Sequence, residues 1–150
     1  MTSTNELVKK FIDGFASNND IAVLKQIYVT TCSLVDDRIV MLNIAEVPKR
    51  QHPFSIAHEI AHIVGHDVYF DGVAGYITES DADYYAVKLL YDYCRSINLK
   101  FNSTLDFITQ VGIPTRCFNI AEVVLHPEQK LVLILFSRYS KDSWIVKAHP

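Results

Sequence analysis

Residues 54–66, FSIAHEIAHIVGH, restrict the fold more tightly than any other part of the chain. Ile56, Ala57, Ile60, Ala61, Ile63 and Val64 leave little room for a solvated face, so the stretch reads as a helix at the centre of a domain. Into that helix the sequence places His58, Glu59 and His62, in the frame His-Glu-x-x-His. A buried helix does not carry two histidines and a glutamate without something that compensates them. Residues four apart stack on one helix face with a rise of about 6 Å, so both imidazoles can reach one metal ion. Glu59, about 100° further round, can reach a water at that ion without ligating the ion itself. The frame predicts a metal site with a general base beside it. Pro53 suits the first turn of the helix, and Gly65 marks its expected end.

Two histidines are one short of the three protein ligands that a catalytic zinc uses. His66 shares their face but stands about 12 Å from His58 along the axis, too far to meet the same ion. The metzincin spacing would put a third histidine at Val68, and the only methionines, Met1 and Met41, lie upstream of where a Met-turn would follow. The next helix is read from TESDADYYAVKLLYDYCRSI, with Thr78 as N-cap and acidic residues in its first turn. Glu79 and Asp83 are four apart and share a face, whereas Asp81 points about 200° away from Glu79. Glu79 is the expected third ligand, ahead of Asp83 and then Asp81, with Asp83 holding the second nitrogen of a ligand histidine.

The elements around these two helices follow from periodicity. Leu7, Val8, Phe11, Ile12 and Phe15 predict a helix over residues 4–17, N-capped by Thr4 or Asn5. Ile21, Leu24 and Ile27 predict a second short helix over 20–27. IYVTTCSLV and RIVMLNI, on either side of Asp36-Asp37, predict a β-hairpin ending near Asn43. TLDFITQVG reads as a short helix ending at Gly112, AEVVL and KLVLILFS as a hairpin turning over residues 126–129, and SWIVKAHP as an edge strand. The fold class is α+β: one domain over residues 1–150, with the motif helix packed on a second ligand-bearing helix and a small antiparallel sheet.

Bulk properties exclude other classes. A net charge of -3 and no run of lysine or arginine argue against a nucleic-acid partner. The apolar run Leu131–Phe136 is too short to span a bilayer, and charges at Glu6, Lys9, Lys10 and Asp13 interrupt the N-terminus before a leader's apolar core could form. Cys32, Cys94 and Cys117 are widely spaced with no C-x-x-C pair, which predicts reduced thiols in a cytoplasmic protein.

Taken together, HPFSIAHEIAHIVGH and ESDADYYAVKLL resemble the ImmA/IrrE family of metallopeptidases. Phe54, Ser55, Ala57, His58, Glu59, His62 and His66 fall on the first family motif; Glu79, Asp81, Ala82, Asp83, Tyr85, Ala86, Leu89 and Leu90 fall on the second. IVMLN resembles the strand that precedes the active-site helix there, and the likeness covers residues 35–92. Tyr91-Asp92 stands where that family often has Met-Pro, and the last third of the chain matches nothing in the pattern. The resemblance implies a zincin-like, gluzincin-type fold in the cytoplasm of a bacterium, or on a phage or mobile element. It also implies site-specific proteolysis of a helix-turn-helix repressor or an antitoxin-like partner. One zinc would be held by His58, His62 and Glu79, with Glu59 as general base. An oxyanion-stabilising donor would come from Tyr76, His66 or His126. The contrasting expectation is a metal-stabilised partner-binding module, one half of a toxin–antitoxin pair, with little or no hydrolysis.

Overall fold

A computed structural model of the chain describes residues 1–68 and 78–128, with the backbone alone for 66–68. Along the described residues run α1 (Thr4–Asn18), β1 (Ala22–Gln26), β2 (Cys32–Leu34), β3 (Ile39–Asn43), a 3₁₀ turn (Lys49–Gln51), α2 (His52–Val68), α3 (Glu79–Ser96), α4 (Thr104–Val111), a second 3₁₀ turn (Thr115–Cys117) and α5 (Phe118–Leu125). The class is α+β. The predicted strands KLVLILFS and SWIVKAHP, and Tyr76, lie outside the described residues.

The sheet has the order β1-β3-β2. β2 and β3 form the expected antiparallel hairpin, with Ser33 opposite Val40, and Arg38 takes a left-handed conformation (φ 54) in the connection. Among the described residues the sheet is mixed, not antiparallel, because β1 pairs with β3 in parallel, Val23 opposite Val40. The helix expected over residues 20–27 is therefore β1. Its three apolar positions fitted a helical period, yet Leu24 and Ile27 are exposed and only Ile21 of the three is buried. Pairing with β3 satisfies the backbone of this segment in a way that no local pattern announces. On β3 the burial alternates, Val40 and Leu42 inward and Ile39 and Met41 less so, giving the sheet a single core face.

α2 lies against β2 and β3 on one side and packs on α1 and, most extensively, on α3. Phe54, Ile56, Ala57, Ile60, Ala61 and Ile63 have essentially no exposure, as expected for a helix apolar all round. Gly65 does not end it; the helix continues to Val68. In α3 the buried positions Ala82, Asp83, Ala86, Val87, Leu90 and Cys94 follow the helical period, so the stripe that builds the core also carries an aspartate inward.

α1 starts at Thr4, where it is expected to, but neither Thr4 nor Asn5 is its N-cap. Ser3 is its N-cap, forming a capping box with Glu6. Asn5 serves elsewhere: its Nδ2 donates to the carbonyls of Arg50 (2.8 Å) and Val111 (2.7 Å), tying α1 to the chain before α2 and to the end of α4. AEVVL is helical, not a strand. Ala121 and Val124, three apart, are its buried positions, and α5 packs on α3 and α4, so tertiary burial overrides the β-propensity of the valines.

Gly112 closes α4 with φ 88, and a Cβ placed there would overlap the Arg50 carbonyl that Asn5 holds. The left-handed backbone alone costs an alanine about 1–2 kcal/mol, and the overlap adds to it. Gly112→Ala is expected to destabilise the protein by about 3 kcal/mol or more, measured by urea unfolding. An unchanged midpoint would show that this junction does not restrain the fold.

Candidate metal centre

The α2–α3 interface sets the site. His58 and His62 project from α2 one turn apart, and Glu79 is the first residue of α3. Thr78 caps that helix: its hydroxyl accepts from the Asp81 amide (3.1 Å), while the Asp81 carboxylate accepts from the Thr78 hydroxyl (2.7 Å). The Thr78 hydroxyl, and its backbone N–H, which also donates to that carboxylate (3.2 Å), hold the Asp81 carboxyl below its ordinary range. The cap fixes where α3 begins, and so where Glu79 stands.

Glu79 bridges the two histidines. Its Oε2 is 3.1 Å from His58 Nε2, its Oε1 is 3.2 Å from His62 Nε2, and the two nitrogens are 3.4 Å apart. Each residue offers one ligand atom, all within 4.8 Å of one another. A tetrahedral ion with bonds of about 2.0–2.1 Å sets its ligand atoms roughly 3.3–3.4 Å apart, close to these separations.

The chemistry of the donors points the same way. His58 Nδ1 lies 2.8 Å from Asp83 Oδ1. If Nδ1 carries the hydrogen, as the carboxylate partner requires, Nε2 of the neutral ring presents a lone pair. That lone pair faces the Glu79 carboxylate, a contact that is repulsive unless a proton or a metal ion lies between them. A proton on each ring would set two cations 3.4 Å apart. One divalent ion satisfies both nitrogens and the carboxylate together, so the residues fit a metal.

Exposure falls steeply across the site. The Glu79 side chain is 82% exposed, that of His62 18%, and those of His58 and Asp83 9% and 8%. The centre is thus anchored in the core and open to solvent on the Glu79 side. Three acids of one helical turn do three different things: Glu79 joins the histidines, Asp81 caps the helix, and Asp83 supports His58 from behind.

Glu59 is buried beside the cluster without belonging to it. Loss of hydration pushes its carboxyl above the ordinary glutamate range. Nearby His58, His62 and a hydrogen bond from the Ser33 hydroxyl oppose the rise, and Glu79 adds to it. Ser33 lies on β2, opposite Val40 of β3.

Of the remaining sequence candidates, His126 follows α5. Its backbone N–H donates to the Glu122 carbonyl (3.0 Å) and its ring lies 3.9 Å from Glu128, and among the described residues no contact joins it to His58, His62 or Glu79. Tyr76 and the His66 side chain lie outside what the structure describes. All three cysteines are free and none is in the cluster. Cys94 and Cys117 are fully buried, and burial pushes their thiols up to about 12 and about 11.

Two contacts have no counterpart in the sequence reading: Ser33 on Glu59, and Arg116, which ion-pairs with Asp83 Oδ2. An inward carboxylate at Asp83 calls for a cationic partner. With 14 lysines and arginines in the chain, spacing alone could not choose it. Comparison of the chain with protein-family models, with curated proteins and with solved structures gave no match in any of the three.

Proposed function

We propose that this chain is a zinc-dependent metallopeptidase of zincin-like type that hydrolyses one peptide bond in a specific protein substrate. The observation that carries the reading is the convergence of His58, His62 and Glu79 with a buried carboxylate, Glu59, alongside them but outside the ligand set. A structural zinc is normally closed by four protein ligands and has no use for a neighbouring base. Here the described residues supply three, on a face that opens to solvent.

His58, His62 and Glu79 would hold the zinc. When bound, zinc supplies Lewis acidity toward a carbonyl oxygen and lowers the pKa of a water to about 7. Glu59 would take a proton from an attacking water and return it to the leaving amine. Asp83 keeps His58 oriented through Nδ1.

No described helix is long and apolar enough to cross a membrane. The motif resemblance supports a cytoplasmic protease whose substrate is a helix-turn-helix repressor or an antitoxin-like partner. The test is direct: purified protein, shown by metal analysis to carry about one zinc per chain, is mixed with a purified helix-turn-helix repressor, first any that a neighbouring gene encodes. Cleavage at one bond, blocked by a chelator and restored by zinc, is the expected result. Bound zinc with an intact repressor would instead favour the metal-stabilised binding module.

A further inference from the structure

We propose that Arg116, from the C-terminal part of the chain, is a positioning residue of the metal centre, acting on His58 through Asp83. This rests on the metal-site reading above and concerns a residue outside both motifs.

Asp83 is 8% exposed and its two oxygens are divided, Oδ1 to His58 Nδ1 and Oδ2 to the Arg116 guanidinium. A neutral imidazole N–H alone would leave a buried, uncompensated negative charge, which is strongly unfavourable. With one oxygen held by His58 and the other by Arg116, the carboxylate has no freedom to rotate, and the imidazole it orients is held with it.

The Arg116 side chain is 58% exposed, and two contacts seat its guanidinium: the Asp83 carboxylate and the Phe54 ring. It sits in the 3₁₀ turn Thr115–Cys117, after Pro114 and before Cys117, whose side chain is fully buried. Its Cζ lies 5.7 Å from the centre of the Phe54 ring, within cation–π range. Phe54 is 1% exposed and stands one turn before His58 on α2, the two rings 6.2 Å apart. One guanidinium therefore contacts both helices that furnish metal ligands: α3 through Asp83 and α2 through Phe54. An exposed surface ion pair contributes little, but this one has its anionic end in the core.

Lysine can supply the charge but not the planar group that pairs with a carboxylate and stacks on a ring together. The experiment measures zinc affinity by competition with a chromophoric chelator, and the metal-free unfolding midpoint, for wild type, Arg116→Met, Arg116→Lys, Asp83→Asn and the double variant Asp83→Asn/Arg116→Met. Arg116→Met is expected to weaken zinc binding about 10–100-fold, the range for losing an outer partner of a ligand histidine, with Arg116→Lys in between. In the Asp83→Asn background, Arg116→Met should cost no further affinity, because its effect passes through that carboxylate. A residue that only stabilises the fold would move the metal-free midpoint, leave zinc affinity unchanged in every variant that folds, and gain nothing from lysine. Unchanged affinity in Arg116→Met, or losses that add in the double variant, overturns the proposal while leaving the metal site standing. A wild type that binds no zinc overturns both.

Discussion

Glu59→Gln is expected to keep zinc and to lower the rate of peptide hydrolysis by about 10²–10⁴-fold, the usual contribution of a positioned general base. The amide matches the carboxylate in shape and can still accept from Ser33, so the buried position stays filled. What it lacks is basicity. The measurement is zinc content by metal analysis beside single-turnover cleavage of the repressor; undiminished cleavage would exclude Glu59 as the base.

A second readout needs no substrate. Burial raises the Glu59 carboxyl above the ordinary glutamate range in the metal-free protein. A group whose folded pKa is raised contributes stability that is full below its unfolded pKa, about 4.3 for glutamate, and is lost as pH rises through the folded value. As pH rises toward that value the wild type loses this stability, which glutamine, having no proton to give up, keeps. Metal-free Glu59→Gln should melt above metal-free wild type at pH 7, and the gap should close as pH falls toward about 4. A gap that is absent or reversed would mean that Glu59 is solvated.

The other large effect belongs to Glu79. Glu79→Ala removes the oxygen ligands that span His58 Nε2 and His62 Nε2, and the two nitrogens alone cannot fill three tetrahedral positions. Zinc affinity should fall by more than the roughly 10–100-fold typical of an outer-shell loss, the level expected for Asp83→Asn. Thermal unfolding gives an independent measure. A ligand at 1,000 times its Kd stabilises the folded state by about 4.1 kcal/mol, which for a domain of this size is a rise on the order of 10 °C. Wild type should show that rise with zinc, and Glu79→Ala should show little. Because Glu79 is largely exposed, its replacement should barely move the metal-free midpoint, so a loss of the zinc effect reports on the site and not on the fold. If Asp83→Ala empties the site while Glu79→Ala keeps full occupancy, the two carboxylates exchange roles.

The motif helix and the capped helix after it were legible because both are written locally. His58, Glu59 and His62 fix a face by spacing, and Thr78 with the acids behind it fixes the start of α3. The capping box of Ser3 and Glu6 was equally local, though hidden by the better-placed apolar residues that follow it. The failures occurred where a short apolar run fits two periods. Residues 20–27 became a strand by pairing in parallel with β3, and AEVVL became a helix by packing on α3 and α4.

By itself the sequence determined the chemistry available: two imidazoles and a carboxylate on one central helix, and a second acidic face on the next. A helical period converts spacing directly into direction, so no distant contact is needed to read it. Only the tertiary structure decided which acid meets the histidines and which supports them, since that depends on how α3 is seated against α2. It alone brought Ser33 to Glu59 and Arg116 to Asp83, joining residues that are 26 and 33 positions apart (59 − 33 and 116 − 83). Such partners are selected by burial, because a carboxylate taken out of water must find its counterpart wherever the packed chain presents one.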